Sequence, residues 1–142
     1  MENYKTQIDK NTTEYYINGV KKYLHFKDSN GFEWWRECDN KGNEIHFKDS
    51  DGFEWWREYD NKGNEIHYKN SDGYECWREY DNKGNKIHSK NSDGFEWRRE
   101  YDNKGNEIHF KNSNGFECWS DEHPDNPKNK KIEIPDDFNP FE

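Results

Sequence analysis

Histidines recur along the chain at one fixed interval and are the first residues to consider for chemistry. They stand 21 positions apart, at His25, His46, His67, His88 and His109. Imidazoles often bind zinc, but zinc needs its ligands within about 2.1 Å of one ion. If each interval is a pair of β-strands, equivalent histidines lie roughly 10 Å apart, because neighbouring strands are about 4.8 Å apart. Two adjacent copies therefore cannot share an ion, and we predict no metal site.

Three other patterns invite a chemical interpretation. The segment Asp49-Ser50-Asp51-Gly52 begins like a calcium loop, but the later ligands and the glutamate of an EF-hand do not follow it. Glutamates recur in every copy, as expected of solvated strand faces, whereas an active site is usually single. The cysteines lie in different copies without a matching base, and their odd number does not indicate a disulfide framework: Cys38, Cys76 and Cys118. We predict a protein that is not an enzyme and has no cofactor.

The fixed interval reflects a tandem repeat. The copy from His46 reads HFKDSDGFEWWREYDNKGNEI, and the copy from His67 reads HYKNSDGYECWREYDNKGNKI. Each copy holds two turn signals, an Asn-Gly or Asp-Gly pair such as Asp51-Gly52 and the sequence Asp-Asn-Lys-Gly-Asn, for example at 60–64. The segments between them have normal strand length. The pattern predicts an all-β fold in which tandem 21-residue β-hairpin repeats form one curled antiparallel meander sheet.

The turn types predict a register between the strands. We expect a two-residue turn at Asp51-Gly52, with positive φ at both residues, and a three-residue bulged loop at 61–63. This register places the histidines with the arginines on one face of the sheet, and Trp56 with Glu58 on the other. The predicted opposite pairs are Phe47–Trp56, His46–Arg57, Lys48–Trp55, Trp56–Tyr68, Arg57–His67, Glu58–Ile66 and Ser89–Arg98.

Each copy also carries a tyrosine-aspartate pair followed by glycine-asparagine, as in 59–64, and then a second glycine turn, as in 71–73, before Tyr80-Asp81. This arrangement resembles the YD repeat of the Rhs (rearrangement hotspot) family. The resemblance covers roughly residues 25–119; it departs in the richness in Trp, Lys and Glu and at Cys38, where Tyr is expected. Members of that family form β-strips around polymorphic toxins, so the resemblance implies a hairpin-strip fold and a bacterial toxin context. It supplies no catalytic residues.

Composition and repeat boundaries divide the chain into three regions. They are an N-terminal cap with a divergent hairpin at 1–24, the repeats at 25–119, and a Pro-rich acidic C-terminal tail or cap at 120–142 with a short strand at 131–134. Only 27% of the residues are hydrophobic, while 18% are aromatic. Because aromatic rings bring large apolar area, we expect a thin aromatic layer and no thick aliphatic core.

The net charge of -9 favours basic partners and disfavours nucleic acid and anionic membranes. The first ten residues contain no apolar run, and no stretch approaches the ~18 apolar residues of a membrane span. We therefore expect a cytoplasmic protein that contacts neither membrane nor nucleic acid directly.

Acidity, the lack of a catalytic signature and the resemblance together favour a non-catalytic binding protein. Our first hypothesis is an immunity protein that neutralises a cognate bacterial toxin domain, for example a basic nuclease. Alternatives are a carbohydrate-binding strip that stacks sugars on Trp55 and Trp97, or a spacer fragment of an Rhs-type protein. Because interface hot spots favour tryptophan and charge steers association, the candidate partner-binding residues are Trp35, Trp56, Trp77, Glu58, Glu79 and Arg98.

Overall fold

The strands of the computed structural model, which describes residues 2–130 and 133–141, form one open sheet. Twelve antiparallel strands follow each other in chain order, so every strand pairs with its sequence neighbours. The predicted all-β fold and single meander are confirmed. The strands are β1 (Tyr4–Gln7), β2 (Thr12–Ile17), β3 (Val20–Lys27), β4 (Glu33–Cys38), β5 (Glu44–Asp49), β6 (Glu54–Tyr59), β7 (Glu65–Asn70), β8 (Glu75–Tyr80), β9 (Lys86–Asn91), β10 (Glu96–Tyr101), β11 (Glu107–Asn112) and β12 (Glu117–Trp119).

A short tail follows the last strand. It contains one 3-10 turn at Pro127–Asn129. Of the strand predicted at 131–134, Lys131 and Ile132 lie outside the described residues, and Glu133 and Ile134 are not in a strand.

Both turns of each repeat have the same three-residue loop. After β5, the N–H of Gly52 donates to the carbonyl of Asp49 at 3.2 Å, and the N–H of Asp49 donates to the carbonyl of Phe53 at 3.0 Å. The turn after β6 repeats these bonds between residues 60 and 64. In the loop at 50–52 only the glycine has positive φ, at 91°. The two-residue turn predicted at Asp51-Gly52 is therefore wrong, and the three-residue loop predicted at 61–63 is confirmed.

The first residue of each turn explains this geometry. The Oδ1 of Asp49 accepts hydrogen bonds from the N–H groups of Asp51 and Phe53, both at 3.0 Å. Asn70 does the same in the next repeat. These bonds favour a type I turn with a left-handed glycine in fourth position. A two-residue turn with positive φ at both positions does occur, but outside the repeats, at Asn18-Gly19.

A bulge completes the odd period of the repeat. Tyr59 pairs with Glu65, but the residue before it in β6, Glu58, pairs with His67. Ile66 therefore has no residue directly opposite. Side chains alternate between faces along a strand. With two loops of equal length, a 21-residue period would place equivalent side chains on opposite faces in successive copies. The extra residue restores the alternation, as bulges do.

The observed register consequently differs by one residue from the predicted one. None of the seven predicted pairs lies opposite, because the first loop is one residue longer than expected and the second hairpin contains the bulge. A one-residue shift moves every side chain to the other face relative to its partner strand. The observed pairs are His46–Trp56, Phe47–Trp55, Lys48–Glu54, Trp56–Lys69, Arg57–Tyr68, Glu58–His67, Arg98–His88, Arg98–Lys111 and Trp97–Ser89.

One face of the sheet, here named the arginine face, carries the buried layer. It displays Arg36, Arg57, Arg78 and Arg99 together with the aromatic residues that pair with them or flank them. Trp55 is 8% exposed, and the guanidinium of Arg57 lies 4.1 Å above its ring. The cation–π partner of Trp55 is thus an arginine of its own strand and not Lys48, which pairs with Trp35 and Glu54. Arginine stems and aromatic rings together form the thin core.

Candidate functional site: the histidine face

The opposite face, here named the histidine face, carries all six predicted partner-binding residues. Trp35, Trp56 and Trp77 lie on β4, β6 and β8 and are 42%, 40% and 42% exposed. The side chains of Glu58 and Glu79 are 69% and 63% exposed. Arg98 occupies the position of the tryptophan in the fourth copy and is also exposed. The structure therefore groups the six residues on one surface, where the histidines join them.

Each repeated tryptophan of this face lies flat against a histidine of the preceding strand. The ring centroids of His46 and Trp56 are 5.4 Å apart with an interplanar angle of 11°. The pair of His67 and Trp77 is similar, at 5.5 Å and 14°. Sequence reasoning missed these pairs because its register placed the histidines on the arginine face. The recurrent Asx-x-x-Gly spacing is the sequence signal that indicates the longer loop and hence the correct register.

In four of the repeats both nitrogens of the histidine are directed at carboxylates, whereas His25 faces Glu33 through Nε2. The Nε2 of His67 lies 2.8 Å from Glu75, and its Nδ1 lies 3.6 Å from Glu58. The same arrangement recurs at His46, His88 and His109. Because these imidazoles are engaged on both sides, they do not present a free base. Among the described residues, no group of three or more His, Cys, Asp or Glu side chains is placed to hold a metal ion.

The two glutamates beside each histidine have different surroundings. The first type, represented by Glu96, accepts a hydrogen bond from His88 at 2.6 Å, and this bond lowers the pKa of the Glu96 carboxyl. The second type, represented by Glu58, has only the longer contact with His67 and extends into solvent. The second type is therefore the acid that this face offers to a partner.

A glutamate, a histidine and a tryptophan from three successive strands form a notch, the recurrent feature of this face. The notch of Glu58, His67 and Trp77 is part of a depression of about 460 Å³. The equivalent notch one repeat earlier is formed by Glu37, His46 and Trp56. A notch combines a carboxylate that accepts hydrogen bonds with an indole that offers an apolar ring, so it can hold a polar group that is also planar.

The last notch is filled by the tail of the chain. His123 is 6% exposed and lies in the notch of Glu100, His109 and Trp119. Its Nε2 is 2.9 Å from the Oε2 of Glu100. The ring centroids of His123 and Trp119 are 4.5 Å apart, with an interplanar angle of 63°. The Nδ1 of His123 accepts the N–H of Asp125 at 3.0 Å, so Nε2 carries the proton and donates it to Glu100.

The tail segment that carries His123 is held by side-chain amides. Asn126, 3% exposed, donates from Nδ2 to the carbonyl of Ser120 at 2.8 Å and caps the 3-10 turn with its Oδ1. Asn129 donates to the carbonyls of Asp121 and His123. These bonds fix the segment after β12 against the histidine face.

Other candidate residues of the sequence are engaged within the fold. Trp55 and Trp97 lie beneath the guanidinium groups of Arg57 and Arg99, at 4.1 and 4.6 Å, so one face of each ring is covered and offers no room to a sugar. Burial raises the pKa of the Cys38 thiol, which disfavours the reactive thiolate. Of the two aspartates of 49–52, Asp49 serves the turn, because its carboxylate accepts the N–H groups of Asp51 and Phe53.

No protein-family model and no curated protein matches the chain. Within the described parts of the chain, no helix has the length and apolar character needed to cross a membrane.

Proposed function

We propose that the chain is a non-catalytic protein-binding strip, and that it acts in the bacterial cytoplasm as an immunity protein which blocks a cognate toxin domain. The observation that carries the proposal is the row of exposed tryptophans on the histidine face, of which Trp56 and Trp77 share a strand with the exposed carboxylates of Glu58 and Glu79. Solvent-exposed Trp35, Trp56 and Trp77 supply the apolar anchors that interface hot spots favour. Glu58 and Glu79 supply charge that attracts a basic surface.

The extent of the surface supports a partner. The accessible area is 10599 Å², whereas a compact protein of 17.4 kDa exposes about 7,900 Å². The excess arises because a single sheet leaves both faces open along its length. Large exposed apolar patches in soluble proteins commonly mark interaction sites.

A basic toxin domain such as a nuclease fits the charge of this surface. The net charge of -9 would speed association with a basic active-site cleft, and exposed acids of the histidine face would enter that cleft. The resemblance of the repeats to toxin-associated YD repeats points the same way. The cytoplasm is where an inhibitor of such a toxin would be needed.

The proposal is tested by producing the chain together with the toxin domain encoded beside it. We expect the chain to bind the toxin and protect the cells that make it. The double variant Glu58→Ala/Glu79→Ala should associate more slowly and depend less on salt, because charge steering is screened over about 8 Å at physiological ionic strength. The fold should persist, since exposed ion pairs contribute only about 0–1 kcal/mol.

The matched control is the double variant Asp51→Ala/Asp72→Ala, which removes the same charge from the exposed tips of two turns. It should retain most of the association rate, because those acids lie at the edge of the sheet and not on the histidine face. Failure of the unmodified chain to bind or protect would refute the immunity role. Equal rates for both double variants would refute the assignment of the binding face.

Carbohydrate binding is a second candidate, which the exposed tryptophan row favours. Trp56 stands between its register partners His46 and Lys69, so the edge of the ring is more open than its faces. Sugars stack on ring faces, and this geometry supports the protein partner more strongly. Glycan-array binding that is lost in Trp56→Ala and Trp77→Ala would favour the carbohydrate role instead.

A further inference from the structure

We infer that the two open notches of the histidine face each bind one planar cationic side chain, an arginine guanidinium, from a basic protein loop. The notches are Glu37–His46–Trp56 and Glu58–His67–Trp77. The inference rests on the proposed function for its choice of a basic protein partner, and it adds the contact that would recognise that partner.

The notches along the face differ in what occupies them. At the N-terminal end, Trp35 packs beside His25 and has Tyr15 at 5.7 Å in place of a carboxylate. In the fourth copy Arg98 replaces the tryptophan, so the apolar wall is missing. At the C-terminal end His123 fills the notch. Within the described residues, the two middle notches alone combine carboxylate, imidazole and indole with no ring from this chain inserted between them. The carboxylate of Glu37 pairs with the ammonium of Lys22 at 3.3 Å, which an occupant of that notch must displace, whereas Glu58 has no such lysine partner in the described part of the chain.

His123 shows how an occupant fits. It uses one N–H to bind the carboxylate of Glu100 and places the edge of its planar ring on the indole of Trp119. In this filled notch the ring centroids of the histidine and the tryptophan, His109 and Trp119, are only 3.6 Å apart. In the two open notches the corresponding separations are 5.4 and 5.5 Å.

The chemistry of the open notches selects a planar cation. A guanidinium can bond a carboxylate with two N–H groups and is small enough to pack against the exposed part of an indole as well. The carboxylate of Glu58 is 69% exposed and has only the 3.6 Å contact with His67, so it can accept such bonds. Lys69 and Lys90 stand opposite Trp56 and Trp77 on the strand that follows each tryptophan, so they lie outside the respective notch, and the charge within each notch is that of its glutamate.

The first experiment is an NMR titration of the full chain with the blocked tripeptide Ac-Gly-Arg-Gly-NH₂, with Ac-Gly-Gln-Gly-NH₂ as control. The chain has seven tryptophans, so the indole N–H signals report each site separately. We expect saturable shifts at Trp56 and Trp77 with the arginine peptide. The buried Trp55 should not respond, and the glutamine peptide should produce no saturable shift.

Single substitutions separate the two notches. In Glu58→Gln the response of Trp77 should weaken about tenfold in Kd, a loss of about 1.4 kcal/mol, while that of Trp56 persists. Glu37→Gln should do the reverse. Equal responses to both peptides, or a Trp77 response that survives Glu58→Gln, would overturn the inference.

A gain-of-function variant provides an independent check. Arg98→Trp restores the missing wall beside His88 and Glu79, so its additional indole signal should respond to the arginine peptide. That response should disappear in the double variant Arg98→Trp/Glu79→Gln. If a variant whose amide spectrum shows an intact sheet gives no response, the notch is not the recognition element.

The outcomes distinguish this inference from the proposed function. Binding of the arginine peptide without binding of the toxin would leave the notches valid and refute the immunity role. Toxin binding whose affinity is unchanged by Glu37→Gln and Glu58→Gln would keep the immunity role and refute the notches.

Discussion

Trp55 and Trp56 are adjacent in the sequence but have opposite environments. Their side chains point to opposite faces because successive residues of a strand alternate. Trp55 is 8% exposed beneath Arg57, whereas Trp56 is 40% exposed on the histidine face. One contributes to the core and the other to the surface proposed for binding.

The two tryptophans should therefore differ in their contribution to stability. Trp55→Ala should reduce the free energy of unfolding by about 3–5 kcal/mol, the usual loss for a buried tryptophan. Trp56→Ala should cost about 1–2 kcal/mol, because only part of its ring is removed from water. Urea unfolding followed by circular dichroism measures both. Equal losses would contradict the assignment of the core to the arginine face.

At the residue scale, the sequence predicted which side chains share the candidate site but not their neighbours. Trp56 and Glu58 are two positions apart on one strand, so they share a face in any register. The contact of Trp56 with His46 depends on the strand opposite. A loop one residue longer than expected was enough to hide it.

The turn is the element that sets this register. Gly52 has φ of 91°, and a Cβ built there would meet no atom within 4 Å. Gly52→Ala should therefore cost about 1–2 kcal/mol through backbone strain alone, with no steric clash. Gly52→Asn should cost less, because asparagine tolerates the left-handed region better. A larger loss for asparagine than for alanine, measured by urea unfolding, would contradict this account.

The aspartates that begin the Asp-Asn-Lys-Gly-Asn turns should make the free energy of unfolding depend on pH in the acid range. The side-chain amide of Asn64, followed by its backbone N–H, lowers the pKa of Asp60 below its ordinary value of 3.8. Asp81 and Asp102 are shifted in the same direction by Asn85 and Asn106. A lowered folded-state pKa gives stability that is complete above about pH 4 and is lost as the pH falls through the folded value.

The triple variant Asp60→Asn/Asp81→Asn/Asp102→Asn should make this acid-dependent loss shallower. Asparagine fits the position, since Asn70 accepts the same two backbone N–H bonds in the other type of turn. The measurement is the urea midpoint at several values between about pH 5 and pH 2. If the variant and the unmodified chain lose stability in parallel, other groups cause the acid response.

At the element scale, the glycine spacing predicted every turn position within the repeats, but the choice between turn types required the residue three positions earlier. The Asp51-Gly52 pair alone favours a two-residue turn. Asp49 overrides it by accepting two N–H groups that only the longer loop brings within reach. The bulge at Ile66 was not predicted, because no residue type marks it.

The whole molecule is built from contacts between neighbouring strands. Because the twelve strands pair in chain order, each repeat depends directly on the copies before and after it. Adjacent copies are also joined at their turns, where the N–H of Glu54 donates to the Oγ of Ser71 at 3.0 Å and the N–H of Ser71 donates to the carbonyl of Glu54 at 2.8 Å. Stability in such an array is approximately a sum over repeats and their interfaces.

The period made this architecture the most predictable level of the structure. Identical spacing in every copy requires identical strands and turns, so the meander follows without knowledge of the register. What fills each notch depended on residues outside the repeat. His123 fills the last notch and Tyr15 stands beside Trp35 at the other end of the sheet, and the periodic pattern contains no information on either.

A repeat should therefore be removable as a unit. Deletion of 46–66 joins Ile45 to His67 in phase and leaves ten of the twelve strands, with every side chain on its original face. We expect a cooperatively folded protein whose denaturant m-value is about one-sixth smaller, since m scales with the surface exposed on unfolding. Circular dichroism and urea unfolding measure both properties.

The matched control is deletion of 50–60, which removes one strand but leaves a complete turn, because Asp49 then precedes Asn61, Lys62 and Gly63. With the loop and bulge retained, Phe47 of the arginine face would stand opposite His67 of the histidine face. Every downstream strand would then present the wrong face, so the core of Arg57-type and Trp55-type residues could not continue past the junction. We expect loss of cooperative unfolding in this variant. Equal urea midpoints for both deletions would mean that the two faces are interchangeable. That result would contradict the distinction between arginine face and histidine face on which the candidate site depends.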